Sequence, residues 1–312
     1  MKVIYGKTGE HIKTPSVTGL GNFDGFHIGH MTLVNTIINQ AKVSNSTSVV
    51  YTFEKHPENI IRKKLFTPLI ITNNQKIKLL DKTGLDAVFF DEFTEELSRL
   101  KPDEFVKNVL LEKLNVKHVV AGYNYKFGYK AQGNVKDLME LGEKYGFGVT
   151  IIPPVKSGGV TVSSTNIRKN IIQGNIHKVF NLLGRHFSIT GKVQTGKRIG
   201  KILGVPTANI YPEPYLVLPL NGVYITVTLL RGKLYRSITN VGVNPTVSDE
   251  NEKVMETHIL NFDEDIYNEY IEVYFLDNLR EEIKFKDIEE LAIQLSEDIK
   301  AATNYFNKIN FQ

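Results

Sequence analysis

The chain changes rhythm once, near Gly184, and that change limits the folds open to it. Up to about residue 183, β-prone runs (Ser16–Leu20, Ser48–Phe53, Ala87–Phe90, Lys117–Ala121 and Gly148–Ile152) alternate with amphipathic helical stretches. One such stretch, Pro102–Leu114, starts at a proline suited to a first helical turn and carries Phe105, Val109 and Leu110 on one side. Strands separated by helices of this length imply parallel crossovers and a doubly wound sheet. Ser164-Thr165-Asn166 then offers capping groups to a helix running to Gln173, and a second helix, Ile176–Leu183, ends at Gly184. Beyond it, Phe187–Val193, Val223–Leu230, Leu234–Val241, Val254–Leu260 and Ile271–Phe275 are joined by Gly, Pro and Asn turns without helices between them. This pattern predicts a small antiparallel barrel, with an amphipathic helix from about Ile288 to Tyr305 on its outside. At 312 residues the chain can bury a core in each half, so two domains are expected, 1–183 and 184–312.

Composition excludes several kinds of chemistry. Cysteine is absent, which rules out disulfides, thiolate-bound zinc and thiol catalysis. Tryptophan is absent too, so stacking on a ligand falls to the 17 Phe and 14 Tyr. A net charge of +4 suits polyanionic small molecules, and with no basic run longer than Arg62-Lys63-Lys64 no nucleic-acid partner is expected. No apolar run approaches the ~20 residues of a membrane span and no signal-peptide core is seen, so a cytoplasmic location is the expectation. Nothing in the sequence indicates an oligomeric state.

Chemistry concentrates where a short β-prone run, Ser16–Leu20, meets the first helix. Gly21 to His30 read GNFDGFHIGH, followed by a helix in which Leu33, Ile37 and Ala41 share a face. The last four letters form HxGH, the signature of enzymes that attack the α-phosphate of a nucleoside triphosphate. An anion there meets a helix N-terminus, and Gly21 and Gly25 let the backbone approach it closely. His27 and His30, three residues apart, converge on one group and can stabilise charge on a bridging phosphate oxygen. The position, at the carboxyl end of a strand in a βα pattern, is where open parallel sheets bind nucleotides.

Other strings admit two readings each. Thr52 to Pro57 (TFEKHP) brings His56 to the same edge of the sheet. Ser163-Ser164-Thr165 followed by Arg168 is either a capped surface helix or a cradle for outer phosphates. Pro206-Thr207-Ala208-Asn209 is either a turn or, through the Thr207 hydroxyl and Asn209 carbonyl, a pair of hard oxygen ligands for magnesium. Glu256 shares a strand face with His258 and is either a solvated carboxylate or a base for a hydroxyl nucleophile. Gly191 to Arg198 (GKVQTGKR) meets GxxxxGK, but Arg198 stands where a P-loop needs Ser or Thr, so it is read as a turn.

In sequence order, GNFDGFHIGH, TFEKHP, GYNYKFG (122–128), SSTNIR, GKILGVPTANI (200–210), NVGVNPT, METHILNF and LREEIKF (279–285) resemble the bifunctional bacterial riboflavin kinase/FMN adenylyltransferase family, also called FAD synthetase. The match runs through nearly the whole chain. The resemblance implies an α/β Rossmann-like nucleotidyltransferase domain followed by a small β-barrel riboflavin kinase domain with a C-terminal helix. It implies ATP as co-substrate, riboflavin, FMN and FAD as substrates or products, and Mg2+. In the first domain, His27 and His30 would stabilise α-phosphate transfer, Asn22, Asp24 and Gly25 would shape the phosphate loop beside His56, and Asn124 would bind FMN or nucleotide. Ser164, Thr165 and Arg168 would hold the outer phosphates. In the second, Thr207 and Asn209 would ligate magnesium, Glu256 would act as general base on the ribityl 5′-hydroxyl, Gly200 and Lys201 would meet the nucleotide, and Arg280 would contact flavin or its phosphate.

The chain departs from the family pattern mainly in the kinase half. Val205 stands where a bulky aromatic is frequent, and Lys201 and Asn244 where Arg is frequent. Tyr125-Lys126 replaces a frequent Phe-Arg. Arg to Lys loses bidentate phosphate recognition. The alternative these changes leave open is a monofunctional FMN adenylyltransferase with a catalytically impaired, flavin-binding kinase module.

Overall fold

Strands rich in β-branched and aromatic residues, buried on both faces, build the centre of the first half as a parallel sheet requires. The structure is a computed structural model and describes residues 1–61, 67–196, 204–243 and 253–309. It divides into two compact units, Met1–Ser164 and Thr165–Gln312.

In the first unit a short strand, β1 (Lys2–Tyr5), precedes β2 (Ser16–Leu20). Helix α1 (Ile28–Val43) leads to β3 (Thr47–Phe53), and α2 (Pro57–Ile61) and α3 (Asn73–Asp81) lead to β4 (Ala87–Asp91). Helices α4 (Glu95–Arg99) and α5 (Pro102–Phe105) follow, and from Val106 to Lys113 the expected helix widens into π-helical hydrogen bonding. The unit continues with β5 (Val116–Gly122), α6 (Val135–Tyr145), β6 (Gly148–Ile152) and a small hairpin of β7 (Lys156–Ser157) and β8 (Val160–Thr161).

The six-stranded sheet has the order β1-β4-β3-β2-β5-β6 and is parallel throughout. From β2 the chain steps outward in one direction to β3 and β4, then returns to add β5 and β6 on the other side. The reversal lies between β2 and β5, so the loops leaving these two strands part and open a crevice at their carboxyl ends. Gly19 in β2 lets α1 sit close to the sheet, since a Cβ there would overlap Leu33 and Ile37.

The second unit opens with two helices, α7 (Ser164–Ile172), whose first residue belongs to the first unit, and α8 (Ile176–Leu183). Gly184 ends α8 in the left-handed region at φ 72°. Strands β9 (Phe187–Gln194), β10 (Ala208–Ile210), β11 (Gly222–Leu230), β12 (Lys233–Val243), β13 (Lys253–Ile259) and β14 (Tyr270–Glu281) close into an antiparallel barrel of order β10-β13-β12-β11-β14-β9.

Side chains alternate across the barrel wall. Inside, the fully buried hydroxyls of Thr228, Ser237, Thr226, Thr239 and Thr257 satisfy one another in a chain of 2.8–2.9 Å hydrogen bonds. Outside, Val223, Ile225, Val227, Ile238 and Leu276 pack against Ala302 and Phe306 of the last helix, α9 (Ile288–Lys308). Its N-cap, Asp287, accepts from the Glu290 amide at 2.8 Å.

Candidate active sites

The first cluster forms at the carboxyl edge of the parallel sheet, in the loop between β2 and α1. Here the backbone makes an unusual turn: Phe23, Gly25 and Phe26 all have positive φ, at 49°, 78° and 39°. Two of them carry bulky side chains, for which a left-handed conformation costs roughly 1–2 kcal/mol each. Tertiary contacts hold the turn in place. The buried Asp24 carboxylate accepts the Ile70 amide at 2.9 Å and lies 3.4 Å from the Ile71 amide. Ser164 Oγ donates to the Asp24 carbonyl at 2.8 Å, and Thr52 Oγ1 donates to the Asn22 carbonyl at 3.0 Å.

His27 is the N-cap of α1 and is buried. Its Nδ1 accepts the His30 amide at 3.2 Å, which leaves the ring proton on Nε2 as a donor. The His27 and His30 rings stack with centroids 3.6 Å apart and an interplanar angle of 11°. Phe23 supports the His30 ring from 5.1 Å. Gly29 permits this stack, because a Cβ there would come within 3.2 Å of the His27 ring. Two imidazoles therefore present one edge beside a helix N-terminus, a geometry suited to charge developing on a phosphate oxygen.

The other residues expected here are placed by the elements that carry them. His56 follows β3, the neighbour of β2, and its Nε2 lies 3.3 Å from Asn22 Nδ2. Asn22, Asp24 and His56 line one small cleft with Lys76. Asn124 is exposed in the turn after β5, on the far side of the crevice from β3. Ser164 begins α7, Thr165 is exposed beside it, and Arg168 follows one helical turn later on the side of Ser164. The Ile70 amide bond to the Asp24 carboxylate and the Ser164 hydroxyl bond to the Asp24 carbonyl make both residues builders of the turn.

The second cluster lies on the barrel's outer face. Asn209 of β10 pairs in register with Glu256 of β13, which pairs with Asn240 of β12. Paired residues point to the same side of a sheet, so the three side chains form one row. Asn209 is buried and Thr207, just before β10, is half-buried. His258 Nδ1 meets the Pro206 carbonyl at 2.8 Å and ties the Pro206–Asn209 segment to β13. A Thr hydroxyl and an Asn carbonyl beside a carboxylate form an oxygen set suited to a hard divalent cation completed by phosphate and water. Among the described residues no group of three or more His, Cys, Asp or Glu could hold a metal by itself.

Arg280 is not brought to Glu256. It lies on β14, the third strand from β13 in either direction round the barrel, and grips Asp298 of α9 with Nε at 2.9 Å and Nη2 at 2.8 Å. Gln294 also donates to the same buried carboxylate at 3.0 Å. Through this pair Arg280 is also a strut between β14 and α9. Gly191–Gln194 of the GKVQTGKR string run along β9 and are not a loop opening a helix. Gly200, Lys201 and Asn244 lie outside the described residues. Sequence reading missed Lys76, Thr52 and Asn240. The signal for Lys76 was its place four residues before buried Leu80, on the inner face of α3.

The FAD synthetase family model matches residues 9–166 and the riboflavin kinase family model residues 183–306. A relative from Buchnera aphidicola (subsp. Schizaphis graminum), named bifunctional riboflavin kinase/FMN adenylyltransferase, is 36% identical over 96% of both chains. Relatives of the same name from Listeria monocytogenes and Escherichia coli K12 are 34% and 31% identical, covering 97% and 93% of this chain and 96% and 92% of their own. A solved structure from Streptococcus pneumoniae, described as a macrolide-efflux protein, superposes with a TM-score of 0.87 at 30% identity over 97% of this chain and 99% of its own. No helix among the described residues is long and apolar enough to cross a membrane. With both family models matched in order and relatives alike along their whole length, the chain belongs to the bifunctional riboflavin kinase/FMN adenylyltransferase family.

Proposed function

We propose that this chain phosphorylates riboflavin to FMN with ATP and then adenylylates FMN to FAD, releasing pyrophosphate. The observation that carries the second activity is the stacked His27–His30 pair at the start of α1, held at the crevice where β2 and β5 part. An FMN phosphate oxygen attacks the α-phosphorus of ATP, a new P–O–P bond forms, and the bond to the bridging oxygen of pyrophosphate breaks. His27 Nε2–H and the His30 ring stabilise charge gathering on the phosphate oxygens. The Asn22–Gly25 turn, with His56 beside it, cradles the nucleotide, and Asn124 orients FMN or nucleotide from the other side of the crevice. Ser164, Thr165 and Arg168 hold the outer phosphates at the start of α7. No covalent enzyme intermediate is needed, because positioning and electrostatics act on two reactants already equipped to react.

The barrel carries the first activity. Glu256 takes the proton of the ribityl 5′-hydroxyl as that oxygen attacks the γ-phosphorus of ATP, and the bond to the β,γ-bridging oxygen breaks to release ADP. Thr207 and Asn209 are the residues that would hold Mg2+, which when bound neutralises charge on the transferring phosphoryl group. Asn240, in register with Glu256, flanks the base on the side away from Asn209. Gly200 and Lys201 meet the nucleotide in this reading, and the Arg280–Asp298 pair keeps α9 on the barrel wall. A cytoplasmic setting, with small molecules as the partners, fits both reactions.

The test is to incubate the purified chain with riboflavin, ATP and magnesium and separate the flavins by chromatography. FMN followed by FAD is the expected result. FAD from supplied FMN but nothing from riboflavin would reduce the reading to an adenylyltransferase alone, and no product from either flavin would overturn it.

A further inference from the structure

Lys76 carries a charge into the interior beside the first site. It is 5% exposed, on the inner face of α3, a helix fixed at its start by a capping box between Thr72 and Gln75. Its Nζ donates to the Asn22 carbonyl at 2.8 Å and lies 3.5 Å from Thr52 Oγ1 and 5.8 Å from the centre of the Phe90 ring. Thr52 Oγ1 donates to the same carbonyl at 3.0 Å. The Asn22 carbonyl thus receives two hydrogen bonds, immediately before the strained residue Phe23.

We propose that Lys76 is a positioning residue of the adenylyltransferase site: its ammonium clamps the Asn22 carbonyl, holds the strained Gly21–Phe26 turn, and sets a fixed positive charge behind the phosphates. The proposal rests on the adenylyltransferase reading given above. Helix–sheet packing alone does not call for a cation here. A neutral chain of similar length would fill the space, and Thr52 would still bond the carbonyl. What the neutral chain lacks is the second donor and the charge. The turn it secures leads directly to His27, so a loosened Asn22 carbonyl lets the imidazole edge drift from the position of the reacting phosphate. The substrates are polyanions, and a buried cation acts on them through a low-dielectric interior with little screening. Burial lowers the Lys76 ammonium to about 8, opposed by the Asp24 carboxylate. The charged and titratable groups that share its cleft are Asp24 from the turn and Glu54, Lys55 and His56 from the segment after β3.

The experiment uses the full chain with Lys76→Met, Thr52→Val and the double variant. FAD formation from FMN and ATP gives kcat and KM, thermal unfolding gives the melting temperature, and FMN formation from riboflavin checks the other unit. Lys76→Met is expected to lower kcat for FAD formation about 100-fold, with KM for ATP changed less than about threefold and an unchanged or higher melting temperature. Thr52→Val is expected to lower kcat about fivefold, and the double variant to be no worse than about twofold below Lys76→Met, because both act on one carbonyl. Wild-type kcat in Lys76→Met overturns the proposal, as does a loss matched by a fall in melting temperature and restored when the variant is assayed well below it. Should Lys76→Met not fold, Thr52→Val decides alone: lowered kcat at an unchanged melting temperature supports the clamp, and unchanged kcat overturns it. A wild-type chain that makes no FAD from FMN overturns the reading beneath the proposal, a result separable from every variant effect.

Discussion

At the scale of single residues, the first site combines groups that sequence displays with groups that it hides. His27 and His30 were legible because the helix start brings neighbours three apart together, and the structure stacks their rings at 3.6 Å. Lys76 was not, because its partner Asn22 is 54 residues away and only the fold joins them. Arg280 is the reverse case: its string is recognisable, but its engagement with Asp298 of α9 is a tertiary fact. Lys76 also makes a prediction about pH. Its ammonium falls from an ordinary 10.5 to about 8 in the folded chain through burial. Between those values the unfolded chain holds a proton that the folded chain has released, so this group's contribution to stability rises with pH across that window. The gain is on the order of 3 kcal/mol, and below pH 8 the buried charge is a constant penalty of that size. Denaturant unfolding at pH 8 and pH 10 should therefore show Lys76→Met ahead of wild type by more at the lower pH. Equal differences at the two values would contradict a depressed ammonium.

Among the elements, periodicity located long segments and failed on short ones. The β-prone runs at Ser16–Leu20 and Gly148–Ile152 coincide with β2 and β6, and Ile176–Leu183 with α8. The first strand, Lys2–Tyr5, escaped because four residues carry little periodic signal and its partner β4 lies far along the chain. Around β10, Pro206 and Asn209 look like turn residues, yet pairing to β9 and β13 makes Asn209 part of a strand. β14 runs past Phe275 to Glu281, through polar Asp277-Asn278 and two register shifts against β11. That extension delivers Arg280 to Asp298 of α9. Both partners are shielded, at 17% and 4% side-chain exposure, so removing one leaves an uncompensated charge. Asp298→Ala is expected to destabilise the second unit by about 3 kcal/mol while FAD formation from FMN survives. A melting curve superimposable on wild type would show that the pair does not fasten α9.

For the whole molecule, the change of rhythm at Gly184 foretold two architectures in one chain, and both are present, a parallel sheet and a closed barrel. The first compact unit ends in sequence at Ser164, while the family models end at 166 and begin at 183. The helices α7 and α8 thus read as an extension of the first rhythm in sequence, yet group with the second unit in space. The kinase half was legible less completely, because Asn209, Glu256 and Asn240 meet only through barrel register. Two sites in one chain should be separable by substitution, and the most direct measurement is a time course of flavins from riboflavin, ATP and magnesium with His27→Ala and Glu256→Gln. His27→Ala is expected to accumulate FMN, with FAD formation down by roughly 100-fold or more. Glu256→Gln should leave riboflavin unconsumed, its phosphorylation slowed by about 100-fold or more, yet convert supplied FMN to FAD at the wild-type rate. FAD produced from riboflavin at the wild-type rate by either variant would contradict the assignment of one chemical step to each site.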